Sequence, residues 1–92
     1  MALIDDCRKA LRVTTTAYDP EIQIYIDAAR ADLRANGVVI PSLDDALVNK
    51  AVLTYVRMSF GSPKDYDKLK DSYDGQKATL KNATGYTNWG TD

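Results

Sequence analysis

The sequence predicts an all-α protein, a small four-helix bundle in which helix 3 is central and a flexible C-terminal tail follows helix 4. In four stretches apolar residues recur every three or four positions, which is the spacing of one helix face. Two of these stretches open on a proline, a residue that suits the first turn of a helix. The 92 residues suffice for one domain with a modest core. We place this domain at residues 1–84 and the tail at residues 85–92.

Helix 1 is predicted at about residues 2–12. Leu3, Cys7 and Leu11 recur at four-residue steps and therefore share one face, while basic residues fall on the other side. The β-branched residues 13–16 are poor helix formers and are expected to end the helix. Cys7 is the single cysteine, and its place on the apolar face predicts a buried, reduced thiol rather than a nucleophile.

Helix 2 is predicted at residues 20–36. Asp19 is placed to accept a hydrogen bond from a free backbone N–H of the first turn, and Pro20 occupies the first position, where a missing N–H costs nothing. Asn36 and Gly37 follow the last apolar residue of the pattern. Because glycine readily adopts the left-handed conformation, this pair predicts the end of the helix.

Helix 3 is predicted to start after Ser42 as its cap, with Asp45 three residues on as a weaker version of the capping-box acid, and to carry an apolar run over residues 46–60. Ten of the fifteen residues of this run are apolar. So many apolar residues cover most of the helix circumference, which is typical of a buried central helix. Gly61 is expected to end it.

Helix 4 is predicted from residue 63 to about residue 83. Ser62 and Pro63 repeat the start signal of a cap followed by a proline. The apolar stripe of this helix is narrow, and aspartates and lysines alternate along the rest of it. This pattern predicts ion pairs on an exposed helix face.

The composition excludes several classes of function. The chain has no histidine and one cysteine, which removes histidine-dependent catalytic triads, Cys/His zinc sites and an intramolecular disulfide. No phosphate-binding glycine loop and no nucleophile-elbow motif is present. The net charge of −1 argues against a freely diffusing nucleic-acid binder. We therefore predict no enzymatic activity and no cofactor.

The aspartates between residues 65 and 74 raise the possibility of a calcium loop. An EF-hand loop that starts at Asp65 requires an oxygen ligand at its fifth position, glycine at its sixth and an acid at its twelfth. The sequence has Leu69, Lys70 and Gln76 at these positions. The pattern fails, and no metal site is predicted.

The N-terminal residues predict where the protein is made. Residues 1–6 contain neither the basic segment nor the apolar core of a secretory signal. We therefore expect a cytosolic chain that does not engage a membrane.

The order of four segments resembles a known family. These segments are residues 18–22 (YDPEI), 25–30 (YIDAAR), 50–57 (KAVLTYVR) and 66–74 (YDKLKDSYD). Over about residues 2–83 the chain is similar to the small head–tail connector proteins, or head-completion adaptors, of long-tailed phages and prophages. Members of this family are often labelled DNA-packaging proteins.

The resemblance implies a structural role. Adaptors of this type form a ring beneath the dodecameric portal, extend the DNA channel and offer a platform for the stopper and tail proteins. The implied partners are further copies of the chain, the portal, a stopper or tail protein, and passing DNA that is not bound sequence-specifically. The implied location is the host cytoplasm during assembly and then the head–tail interface of the virion.

Ring closure requires two different patches of one subunit to meet on neighbouring copies. The charged faces of helices 1 and 4 are the candidates for these patches. The residues chosen as candidates for the subunit interface are Arg8, Arg12, Asp71 and Lys77.

Two aromatic residues in the tail are candidates for docking on a partner. Tyr86 and Trp89 follow the last helix and are costly to leave in water. They either fold back onto the bundle or dock on another protein. We favour docking of the segment Gly85–Asp92 in a groove on a neighbour, with Trp89 as the anchor.

A protein of another class is the alternative, namely a small helical regulatory or antitoxin-like DNA-binding protein. Such a protein requires a recognition helix with several outward basic or amide side chains. Helix 3 is too apolar and helix 4 too acidic to fit this role well.

Overall fold

The structure, a computed structural model, describes residues 3–40, 45–61 and 63–82. Four α-helices account for most of these residues, and none of the three ranges contains a strand. The predicted all-α class is confirmed. The helices are α1 (Leu3–Leu11), α2 (Asp19–Ala35), α3 (Ala46–Ser59) and α4 (Tyr66–Asn82).

The third helix is central, as predicted. It packs against α1, α2 and α4, and its side chains Val48, Ala51, Val52 and Val56 are completely buried. The other three helices contribute the remaining core around it. Their buried members are Cys7 from α1, Ile22, Ile26, Ala29 and Leu33 from α2, and Leu69, Tyr73 and Leu80 from α4.

The end of α1 is built differently from the expectation. Arg12 adopts the left-handed conformation with φ 59°. Its N–H donates to the Lys9 carbonyl at 3.1 Å, and the Val13 N–H donates to the Arg8 carbonyl at 2.9 Å. These two bonds form a Schellman motif, which satisfies carbonyls at the helix end. The helix is therefore closed by this turn, at a position that usually carries glycine.

Replacing Arg12 by glycine is expected to stabilise the fold by about 0.5–1 kcal/mol. The substitution removes a left-handed penalty of about 1–2 kcal/mol, part of which is offset by the greater freedom of glycine in the unfolded chain. Thermal unfolding checks this as a rise of several degrees in Tm. Arg12→Ala is the matched control, because it removes the same side chain but keeps the Cβ atom and should give no such gain. A Tm of Arg12→Gly no higher than that of Arg12→Ala would contradict the left-handed geometry.

The start of α2 differs from the predicted cap. The residue at the N-cap is Tyr18, which makes no side-chain capping bond, and Asp19 is the first helical residue. The Asp19 carboxylate instead accepts a hydrogen bond from Arg8 Nε at 2.9 Å. The prediction of a capping Asp19 was wrong, because an ion pair with α1 occupies its side chain. At the other end, Gly37 has φ +88° and ends the helix as expected.

The start of α3 is capped by Asp45. Its Oδ1 accepts from the backbone N–H of Leu47 and of Val48, each at 3.0 Å. The predicted cap, Ser42, lies outside the described residues. The residue that caps the helix is Asp45, three positions later. An ionised cap also suits the positive end of the helix dipole.

The start of α4 lies three residues after the predicted position. Pro63 precedes the helix, residues 64–65 form a turn, and the first helical bond runs from the Leu69 N–H to the Asp65 carbonyl at 3.0 Å. The proline therefore belongs to the connection and not to the first turn of the helix.

Candidate interaction surfaces

The thiol of Cys7 is buried and is a poor nucleophile. Cys7 is completely buried on the inner face of α1. Burial raises the pKa of the thiol to about 11, with the charge of Asp6 adding to the rise and that of Arg30 opposing it. Only the thiolate is an effective nucleophile, so the side chain acts as a small apolar core group. Within residues 3–40, 45–61 and 63–82, no cluster of three Cys, Asp or Glu side chains could hold a metal ion.

Arg8, one of the predicted interface residues, links the first two helices. Its guanidinium donates to Asp19 on α2 and also forms an ion pair with Asp5 on its own helix. The Arg8 side chain is 24% exposed. Its charge is therefore neutralised mainly within the subunit.

Lys77, another predicted interface residue, takes part in a polar contact between α2 and α4. The Asp32 carboxylate accepts from the Tyr73 hydroxyl at 2.5 Å and from Lys77 Nζ at 3.2 Å. The ammonium also lies 5.0 Å from the centre of the Tyr73 ring, within the range of a cation–π interaction. The Tyr73 ring packs edge-on against Tyr55 of α3, with 5.3 Å between centroids. Three helices thus meet at this contact.

The same contact changes the acid–base properties of two groups. Partial burial acts to raise the pKa of Asp32, but the hydrogen bonds from Tyr73 and Lys77 and the charge of Lys77 outweigh it, and the pKa lies below its usual value. Burial and the adjacent Asp32 carboxylate both raise the pKa of Tyr73. The ionised acid and the neutral phenol are therefore the forms that the fold favours.

The other two predicted interface residues are exposed. Arg12 lies at the end of α1 and Asp71 on the outer face of α4, and neither forms an ion pair with a described residue. Nearby on α4, Lys70 and Asp74 form an ion pair at 3.0 Å, which confirms the predicted pairing along this helix. Arg12 and Asp71 therefore carry charges that remain available to a neighbouring protein.

A groove lies between α3 and α4. Its wider part, a cleft of about 310 Å³, is lined by Arg57 and Leu69 among others. Its narrower part, about 130 Å³, lies beside Leu80 in the last turns of α4. The two clefts share Lys50 and Gln76 and are therefore adjacent along the two helices. We call this feature the α3–α4 groove.

The sequence did not indicate this groove. Apolar residues surround α3 on most sides, so their spacing does not show which side remains uncovered. The only local signal is Lys50 and Arg57, seven residues apart and hence on one face of an otherwise apolar helix.

Several large apolar side chains are exposed elsewhere. Tyr18 stacks edge-on against Phe60 with 5.5 Å between centroids, yet remains 49% exposed. Ile24 on α2 is 65% exposed. The predicted docking residues of the tail, Tyr86 and Trp89, lie outside the described residues. No helix in the described part of the chain has the length and apolarity needed to cross a membrane.

The fold and these surfaces define a small helical interaction protein, with an apolar groove and exposed charges on a compact core. The comparison with protein families identifies the particular group. The family model described as phage connector protein matches residues 3–87 of the 92, so the chain belongs to the phage connector protein family. This confirms the resemblance found in the sequence. No curated protein and no solved structure matches the chain significantly.

Membership in this family is informative about the role. The family is a structural one, and membership supports the role of a phage head–tail connector that associates with the portal and other virion proteins. The implied location is the head–tail interface of the virion.

Proposed function

We propose that the protein is a connector subunit that assembles as a ring, dodecameric on the virion, beneath the portal. The ring extends the DNA channel and offers a platform for the stopper and tail proteins. The observation that carries this proposal is the family match over residues 3–87, which includes all four helices. In this proposal residues 1–84 are the adaptor domain, residues 85–92 are a docking tail, and the subunit is made in the host cytoplasm.

The ring interface is proposed to join the outer faces of α1 and α4. A closed ring needs a heterologous contact, in which a patch on one subunit meets a different patch on the next. Arg12 and Asp71 carry opposite charges on different helices, and both are exposed. Arg8 and Lys77 were predicted for the same patches, but each is paired mainly within its own subunit, so the proposed contact depends on Arg12 and Asp71.

The charges of the subunit suit a channel through which DNA slides. Each contact with a phosphate contributes to affinity and to its salt dependence. The net charge is −1, and one lysine of α4 is paired with an aspartate of the same helix. We therefore propose that DNA passes without sequence-specific or tight binding.

Assembly can be measured directly. Light scattering and negative-stain electron microscopy of the full chain, alone at high concentration and with purified portal protein, are expected to show rings in at least one condition. A compact monomer at every concentration that also does not bind portal protein would overturn the proposal.

A charge exchange tests the proposed interface in the same assay. Arg12→Asp and Asp71→Arg should each weaken the subunit contact by about 1.4- to fivefold, since an exposed ion pair contributes about 0.2–1 kcal/mol. The double variant should restore assembly, because the charges are exchanged and not removed. Lys64→Asp, which reverses an exposed charge in the turn before α4, is the control and should assemble normally. Failure of the double variant to recover would exclude a direct pairing of these two residues.

A further inference from the structure

The floor of the α3–α4 groove is apolar. Leu53 and Thr54 from α3 and Leu69 from α4 line its wider part. The Thr54 hydroxyl donates to the Lys50 carbonyl in its own helix at 3.1 Å, so its one donor is used within the helix. Leu80 continues the floor into the narrower part. The groove therefore suits large apolar or aromatic side chains.

Polar groups on the groove specify further properties of an occupant. The side-chain oxygen of Gln76, which lines both clefts, is buried and accepts no hydrogen bond from a described residue. Lys50 and Arg57 are exposed along the same groove and have no ion-pair partner among the described residues. An occupant that combines an aromatic ring, an N–H donor and a negative charge would satisfy all of these groups.

The C-terminal segment of the chain has this composition. Residues 83–92 contain Tyr86, Trp89 and Asp92 and no basic residue. The indole of Trp89 carries an N–H that can only donate. The segment follows directly after α4 and, at ten residues, can extend over about 33 Å, whereas the stretch of α4 from Leu69 to Leu80 is only about 16 Å long.

The spacing of these three residues matches that of the clefts. Tyr86, Trp89 and Asp92 are three residues apart, which places them on one side of a polyproline II segment at steps of about 9 Å. The α4 residues that line the two clefts are centred about six residues apart, or about 9 Å along the helix. Trp89, the larger ring, then fits the wider cleft and Tyr86 the narrower one. In this register Asp92 continues toward the end of the groove where Arg57 lies.

We propose that the α3–α4 groove receives residues 86–92 of a second copy of this chain. The chain leaves α4 in the direction from the wider to the narrower cleft, away from its own groove, and a return would require a full reversal within residues 83–85. Groove and segment are different patches on one chain, as a head-to-tail ring needs. This inference rests on the proposed function, since it makes the tail a link between neighbouring subunits of the ring.

Trp89 is the only tryptophan, so fluorescence excited at the red edge of the indole absorption, where tyrosine does not absorb, reports on the tail alone. The measurement is its emission maximum and its quenching by acrylamide over a wide range of protein concentration, with light scattering on the same samples. We expect a blue shift and protection from acrylamide that appear as the concentration rises and are lost on dilution. If rings form only on the portal, the same change is expected in the difference between the emission of the original protein and that of Trp89→Ala, each measured with portal protein added.

Two groove variants make the test specific. Lys50→Glu combined with Arg57→Glu should raise the concentration at half-maximal shift by about tenfold, because two attractive contacts become repulsive. Lys64→Glu combined with Lys68→Glu is the matched control, since it reverses two exposed lysines that do not line the groove. Mixing Lys50→Glu/Arg57→Glu with Trp89→Ala should restore the blue shift, because the first variant donates a normal tail and the second a normal groove.

The remaining outcomes overturn the inference. A blue-shifted Trp89 in a monomer at every concentration would place the tail in its own groove. Rings in which Trp89 stays accessible to acrylamide, or in which the groove variant behaves as the control does, would show that the tail does not use this groove, while the proposed ring would stand. A monomer that does not bind portal protein would instead overturn the proposed function itself.

Discussion

Val52→Asp is expected to lower the Tm of the protein by roughly 12–40 °C, since each kcal/mol lost shifts Tm by about 4–8 °C in a domain of this size. Val52 is completely buried in the middle of α3, the helix that packs against the other three. A carboxylate there has no partner and cannot reach water without opening the core. An uncompensated buried charge costs about 3–5 kcal/mol, which is a large part of the roughly 5–14 kcal/mol expected for a domain of this size.

The measurement is thermal unfolding followed by far-UV circular dichroism. Leu47→Asp is the matched control: it introduces the same side chain into the same helix at a position that is 50% exposed. It also lies in the first turn, where the helix dipole favours an acid, so its Tm should stay close to that of the original protein. A normal melting curve for Val52→Asp would show that α3 is not the centre of the bundle.

Asp32→Ala is expected to cost about 1.5–3 kcal/mol at neutral pH. The substitution leaves the Tyr73 hydroxyl and the Lys77 ammonium without the acceptor that joins α2 to α4. A hydrogen bond to a charged group contributes about 1.5–3 kcal/mol. Two such bonds are lost, but the partial exposure of the Asp32 carboxylate weakens both, so the total loss stays in this range.

The same variant should change how stability depends on pH. The pKa of Asp32 is lower in the folded state than its usual value of 3.8, so the ionised form is the one that stabilises the fold. Its contribution is complete above about pH 4 to 5 and is lost as the pH falls through the folded-state pKa. The difference in unfolding free energy between the original protein and Asp32→Ala should therefore shrink in acid. Asp27→Ala, on the same helix but exposed, is the control; equal curves for all three proteins would contradict the role of this contact.

Much of the fold could be predicted from local patterns, because each helix has an apolar face and most have a recognisable end. The end of α2 is an example: Gly37 adopts the left-handed conformation there, and the residue type alone predicts this. Arg12 adopts the same left-handed conformation although it is not glycine, so the residue type did not predict the turn that ends α1. Asp19 fits the sequence pattern of a cap. Only the structure shows that Arg8 of α1 lies close enough to bind the Asp19 carboxylate.

The interaction surfaces were less accessible to prediction, because they depend on contacts between distant residues. Asp32 and Lys77 are 45 positions apart, and no periodicity indicates that they meet. Lys77 consequently looked like one more exposed charge on α4. The α3–α4 groove has the same origin: it is lined by side chains of both helices, and the sequence of either helix alone does not show where the two leave a space between them.

The burial of Cys7 matters for the life of a phage particle outside a cell. In the proposed ring, an exposed thiol on every subunit would be open to air oxidation and to disulfide exchange with its neighbours once the virion is outside a cell. Burial raises the pKa of the Cys7 thiol to about 11 and leaves it no exposed surface, so the protonated, unreactive form dominates at pH 7. Each subunit thus carries its single thiol in a form that resists oxidative ageing, and stored particles are not expected to become cross-linked through it.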